Sequence, residues 1–206
     1  MEVKNNDVTI NWTNVDNTVP GTNLNWHTVA INEGTGPNNR IGRLIFVKSM
    51  ELRFTFIHEP EEVTSTTNME AYTVVFRVML DKQPNGAVET DAWFGFENPG
   101  NIHSFNDLDK KRKYKTLRRK VITLNPNMGG WDGTNQHIGS TKVQYKTMIK
   151  FKGKGLKVLY SGTDSDPTVL PFNNIISNAI YVTAVSDQSQ GNCTVKGKIR
   201  MRFTDS

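Results

Sequence analysis

Hydrophobic and polar positions alternate with period two through much of the chain, and helical periodicity is scarce. From Arg43 to Ile57 the even positions Leu44, Phe46, Met50, Leu52, Phe54 and Phe56 are apolar, with Lys48 the exception. The odd positions there include Arg43, Ser49, Glu51, Arg53 and Thr55. This predicts one long half-buried strand. AYTVVFRVML (71–80) is apolar on nearly every position, as expected of a central strand covered on both faces. In TKVQYKTMIKFK (141–152), Val143, Tyr145, Thr147, Ile149 and Phe151 alternate with Lys142, Gln144, Lys146, Lys150 and Lys152. LKVLYSG and NAIYVTAVS add two shorter strands. The final strand, TVKGKIRMRFTDS, sets Val195, Gly197, Ile199, Met201 and Phe203 against Lys196, Lys198, Arg200 and Arg202.

Turn-rich segments separate these runs, among them NEGTGPNNRIG, DKQPNGAVET, NPNMGGWDGTNQHIG and SGTDSDPTVLPFNN. Helix is expected only as one or two turns, near DAWFGF or SFNDLDKK. Eight or so strands joined by long polar connections predict an all-β sandwich or jelly roll. With 206 residues and no repeat, low-complexity tract or linker, the chain reads as one domain. Residues 41–206 form its expected core, and 1–40 an N-terminal extension or additional strands.

Charge changes the picture through its distribution. Residues 1–109 hold 7 Lys+Arg against 15 Asp+Glu, whereas residues 110–206 hold 18 against 5. KKRKYKTLRRK (110–120) alone carries Lys110, Lys111, Arg112, Lys113, Lys115, Arg118, Arg119 and Lys120, and Asp132 is the one acid between Lys110 and Gly162. Charges this dense repel unless water or a polyanion compensates them. One reading is a solvated edge strand whose charges prevent aggregation. The reading favoured by three basic stretches in one half of the chain is a surface that meets a sugar–phosphate backbone without reading bases. The predicted contacts are the cations of 110–120 together with Lys196, Lys198, Arg200 and Arg202. Tyr114 and Trp131 are either base-stacking or packing residues, and Lys110, Lys111, Arg112 and Lys113 match a nuclear localisation signal.

No catalytic chemistry emerges. His27, His58, His103 and His137 have no ligand spacing, and no HExxH, GxSxG, Walker or GxGxxG motif occurs. Gly153 and Gly155 in FKGKGLK resemble a phosphate loop by composition alone. The single cysteine, Cys193, rules out an intrachain disulfide framework and leads us to expect a reducing compartment. Asp164 and Asp166 in GTDSDPT form either an Asx turn or part of an interfacial calcium site. No apolar run reaches the roughly 18 residues of a membrane span, and no signal peptide precedes MEVKNNDV. The expectation is a protein without enzymatic activity, metal, cofactor or membrane partner.

Several segments taken in order resemble the capsid proteins of small circular single-stranded DNA viruses, the geminivirus-like and circovirus-like group. These are GRLIFVKSMEL, YTVVFRVMLDKQPNG, DKKRKYKTLRRKVITL, FKGKGLKVLYSG, NAIYVTAVSD and VKGKIRMRFTDS, spanning about residues 40–206. The coats of satellite plant viruses, which package RNA, are similar too. The resemblance implies a single eight-stranded jelly roll of two packed four-stranded antiparallel sheets. It also implies self-association into a T=1 icosahedral shell of sixty copies around single-stranded DNA or RNA, located in the virion and, during assembly, the host nucleus. It does not identify a host receptor. Trp12, Trp26, Trp93 and Trp131 are either loop anchors between subunits or core residues. The family's arginine-rich N-terminal arm has no counterpart in MEVKNNDVTINW. Either that arm has been removed, which the Met-Glu opening favours, or packaging is weak, or shells form empty. The alternatives are a non-viral nucleic-acid-binding sandwich and, suggested by Trp and Asn in loops, a carbohydrate-binding jelly roll.

Overall fold

A computed structural model describes residues 2–15, 26–27, 31–58, 61–63, 71–84, 102–103, 108–125, 127–131, 136–139, 141–161, 174–187 and 193–206. Two larger antiparallel sheets and one small one hold these residues. The six-stranded sheet runs β1 (Lys4–Val15), β13 (Cys193–Asp205), β3 (Leu44–His58), β10 (Leu156–Tyr160), β11 (Ile175–Ser177), with β9 (Thr141–Lys150) also paired to β3. The four-stranded sheet runs β2 (Trp26–His27), β12 (Ala179–Ser186), β5 (Tyr72–Asp81), β6 (Tyr114–Leu124). A three-stranded sheet joins β4 (Glu61–Val63), β8 (Gln136–Gly139) and β7 (Asn127–Trp131). The all-β class expected from period two is therefore observed, as a sandwich. The described residues form thirteen strands in sheets of six, four and three, more than the eight in two sheets of four that were expected. Five of the strands, β4, β7, β8, β10 and β11, are short pieces of three to five residues, and β1 and β2 fall within residues 1–40. No helix among the described residues is long and apolar enough to cross a membrane.

The inward faces of the two larger sheets meet in one apolar core. Phe54 and Phe56 of β3 lie 4.8 and 6.2 Å from the Phe76 ring of β5, and Tyr145 of β9 lies 5.6 Å from that ring. β5 and β12 are buried along almost their whole length. On their outer face Val75, Val185 and Ile102 form a second small cluster, so the nearly continuous apolar run of β5, broken by buried Arg77, reflects cover on both sides.

β3 departs from the simple alternation in an instructive way. Met50, Leu52, Phe54 and Phe56 point inward as expected, but before Lys48 the buried positions are the odd ones, Ile45 and Val47. The register against β13 shifts between Arg202, opposite Ser49, and Phe203, opposite Val47. Lys48 is thus the extra residue of a β-bulge, and one added residue exchanges the two faces of a strand. The apparent exception in the pattern marks a change of phase. On its other edge β3 changes partner at the same place, from β10 (44–47) to β9 (49–58). Residues 151–155 form a tight excursion between those two strands. Gly155 sits there at φ +97, where a Cβ would come within 2.5 Å of the Val47 carbonyl oxygen. These glycines therefore serve backbone geometry.

The chain ends are tied together beside this sheet. Lys4, 7% exposed, pairs with Asp205 at 2.8 Å and donates to the Asn39 carbonyl, while the Ile41 amide donates to Asp205. Arg40 is fully buried, stacked 4.2 Å over the Tyr160 ring and donating to the carbonyls of Ile31 and Gly42.

Candidate nucleic-acid interface

The outer face of the six-stranded sheet follows from the strand register, because residues directly opposite one another point to the same side. Arg202, Arg200, Lys198 and Lys196 of β13 lie opposite Ser49, Glu51, Arg53 and Thr55 of β3. Those lie opposite Lys150, Met148, Lys146 and Gln144 of β9, with Lys142 two residues further along. On the other flank of β13, β1 contributes Asn5, Asp7 and Thr9 opposite Arg202, Arg200 and Lys198. The inward positions of β13, Val195, Ile199, Met201 and Phe203, are fully buried. One face of the closing strand is therefore core and the other is cationic.

Among the described residues this wall carries Arg53, Lys142, Lys146, Lys150, Lys196, Lys198, Arg200 and Arg202 against two carboxylates, Asp7 and Glu51. With strands about 4.8 Å apart and about 3.4 Å per residue, the four strands and the Lys196–Arg202 span cover about 14 by 20 Å. Lys198, Arg53 and Lys146 stand directly opposite one another across three strands. Such like-charge neighbours are unfavourable in a sheet, and Glu51 offsets the charge of two of the three, Arg53 and Lys146.

The two acids organise the wall. Asp7 takes a forked pair of hydrogen bonds from Arg200, at 2.8 and 2.6 Å. Glu51 accepts from Arg53 at 2.8 and 2.6 Å and lies 3.5 Å from the Lys146 ammonium and 3.9 Å from the Arg202 guanidinium. The Arg200 hydrogen bond holds the Asp7 carboxyl below the ordinary carboxylate range, and the Arg53 hydrogen bond does the same for Glu51. Arg200 is raised in turn, first by its hydrogen bond to Asp7. Both acids are ionised at neutral pH, so eight cations and two anions leave the wall at +6. Two shallow depressions adjoin on it. One, of about 260 Å³, is lined by Asp7, Glu51, Arg53, Lys198 and Arg200. The other, of about 370 Å³, is bordered by Lys196, Lys198, Arg53, Thr9, Asn11 and Thr55.

The predicted basic residues do not all share this surface. Lys196, Lys198, Arg200 and Arg202 stand on it together. Lys110, Lys111, Arg112 and Lys113, expected at the start of a strand, form a turn in which the Lys113 and Tyr114 amides donate to the Lys110 carbonyl. Lys115, Arg118, Arg119 and Lys120 are exposed on β6, the edge strand of the other sheet. Arg118 reaches across the sandwich edge to Thr147 of β9, at 3.1 Å, so the two basic regions meet there without sharing a plane. Arg119 lies opposite buried Arg77 and donates to the Ile102 carbonyl. Burial, with Arg119 nearby, pushes the Arg77 guanidinium down to about 10. Tyr114 is buried in the main core, so it packs there and is not presented for stacking. Trp93, Asp164, Asp166 and the side chains of Trp12, Trp26 and Trp131 lie outside the described residues. Arg53, Glu51 and Asp7, and likewise Lys142, Lys146 and Lys150, were absent from the predicted site. The polar phase of β3, Ser49-Glu51-Arg53-Thr55, was the signal for the first two.

Among the described residues no group of three His, Cys, Asp or Glu side chains is arranged to hold a metal. No protein-family model matches the chain, and no curated protein matches it as a relative.

Proposed function

We propose that this protein binds the phosphodiester backbone of single-stranded nucleic acid across the outer face of its six-stranded sheet, as the self-associating coat subunit of a small icosahedral shell. The observation that carries the reading is the cationic wall: eight Lys and Arg side chains on one face, with Lys198, Arg53 and Lys146 set opposite one another and their repulsion only partly offset by Glu51. A polyanion offsets that repulsion and releases its own counterions on binding. Among the described residues the Lys196–Arg202 span of the wall presents no aromatic side chain, with Phe46 on the same face beyond its Arg202 end, which favours contact with phosphates over reading of bases along that span.

The shell rests on the ordered resemblance to single-stranded DNA virus capsid proteins and on a sandwich of compatible architecture. The finer reading, an eight-stranded jelly roll, is supported by nested pairing: β1 with β13 encloses β2 with β12, which encloses β3 with β9, which encloses β5 with β6, four strands in each larger sheet. A long antiparallel hairpin rolled onto itself leaves that order. In this reading sixty copies enclose DNA or RNA in the virion, and the exposed turn containing Lys111 and Arg112 serves import into the host nucleus. No catalysis or cofactor is involved.

Electron microscopy of the purified chain, with its 260/280 nm absorbance ratio, tests both halves. Closed shells with co-purified nucleic acid are expected, and the combined K198Q/R200Q/R202Q substitution should keep the shells and lower the ratio. Persistent monomers at micromolar concentration and low salt would remove the shell. Intact shells with an unchanged ratio would make the wall a solvated surface.

A further inference from the structure

We propose that a single strand lies lengthwise along β13, one phosphate for every two residues, held by Lys196, Lys198, Arg200 and Arg202 and fenced at mid-length by Asp7 and Glu51. This rests on the reading of the wall as the nucleic-acid face and specifies the track on it. Outward side chains on a strand repeat every two residues, about 6.8 Å, a pitch that a flexible single strand can match by adjusting its backbone torsions. β13 places a cation at four successive outward positions. No neighbouring strand does so. Asn5, Asp7 and Thr9 on β1 are neutral or acidic, and β3 presents Ser49, Glu51, Arg53 and Thr55. On β9 the cations Lys142, Lys146 and Lys150 are separated by Gln144 and Met148, twice the pitch of the β13 column.

Among the described residues the column is the longest unbroken line of cations on the wall, and a phosphate displaced sideways at the Arg200 level approaches a carboxylate. Asp7 and Glu51 flank Arg200 on adjacent strands. A duplex fits this arrangement poorly. Its two phosphate rows face each other across grooves about 12 and 6 Å wide, and a flat wall with one dense column serves only one row. Contacts confined to phosphates carry no base preference.

Fluorescence anisotropy with an oligothymidylate 20-mer, repeated from 50 to 300 mM salt on the 206-residue chain, tests the track. Each of K196Q, K198Q, R200Q and R202Q should reduce the slope of log K against log salt by about 0.7, one phosphate's worth for a single strand. K115Q and K120Q on β6 should leave it unchanged. D7N should tighten binding about threefold, the effect of removing one unit charge some 7 Å from a phosphate in water. A misfolded variant would not produce that gain. Binding that persists while the β13 substitutions change the slope no more than the β6 ones would overturn the track and leave the nucleic-acid reading standing. So would a D7N variant that binds no tighter, or a 20-base-pair duplex bound as tightly as the single strand. Absence of binding by the parent protein at 50 mM salt would overturn both.

Discussion

An alanine at position 197 would overlap the Arg53 carbonyl oxygen and bring its Cβ within 2.6 Å of the Phe54 ring and 3.1 Å of the Phe54 Cα. Gly197 is an inward position of β13, opposite Phe54 on one side and Ile10 on the other, and the ring occupies the space a side chain would need. The ring can turn, but the Arg53 carbonyl belongs to the hydrogen-bonded β3 backbone and cannot recede without loosening the ladder beside Lys198. Overpacking of this kind costs about 1–3 kcal/mol. The smaller conformational freedom of unfolded alanine returns about 0.5–1 kcal/mol. Because the overlap is with backbone, the upper part of that cost, about 2–3 kcal/mol, applies, and the net loss of about 1–2.5 kcal/mol lowers the melting temperature of a domain this size by about 2–10 °C. Thermal unfolding followed by circular dichroism measures the shift. Because Lys196 and Lys198 flank the strained residue, nucleic-acid affinity should fall as well, although no charge is removed. A G197A protein as stable as the parent would refute this account of the β3–β13 contact.

Two further substitutions probe the core and the wall. Phe76→Ala removes the ring between Phe54, Phe56 and Tyr145 that joins the two sheets, and should cost about 3–5 kcal/mol in urea denaturation; a loss below 1 kcal/mol would mean that the sheets do not pack through it. Asp7 has a folded pKa below its ordinary 3.8, so its pair with Arg200 adds stability above about pH 4 and loses it as pH falls through the folded pKa. The pair is partly exposed, which limits the term to roughly 0.2–1 kcal/mol. Denaturation curves from pH 2 to 6 should show the parent more stable than D7N at pH 6 and the two converging at pH 2; divergence toward low pH would reverse the assigned sign.

Local pattern carried far in this chain. The period-two alternation of 195–203 identified both faces of β13, because a half-buried strand must place alternate residues in water. The nearly continuous apolar run of 71–80 likewise matched a strand buried on both sides. Phase was harder to read. Lys48 looked like a polar intrusion in an even apolar series, and only its pairing with β13 revealed a bulge that moves Ile45 and Val47 inward. Tyr114, beside six cations in sequence, turned out to be core, because the preceding turn sets where β6 begins.

The basic segments differ in the same respect. Their charge was legible residue by residue, but a sheet assembles partners from distant parts of the chain. β9 joined β3 and brought Lys142, Lys146 and Lys150 to the wall of β13, while β6 paired with β5 and left Lys115–Lys120 on the other sheet. Arg53 and Glu51 came to that wall from the acid-rich half by the same route.

By itself, then, the order of residues determined which positions alternate, where cations concentrate and that strands dominate, since side-chain direction and repulsion act over a few residues. Strand neighbours, the bulge and the single plane of β13, β3 and β9 were decided by tertiary pairing. Those choices depend on which long-range ladders bury the aromatic core around Phe76, and no local window of sequence contains that competition.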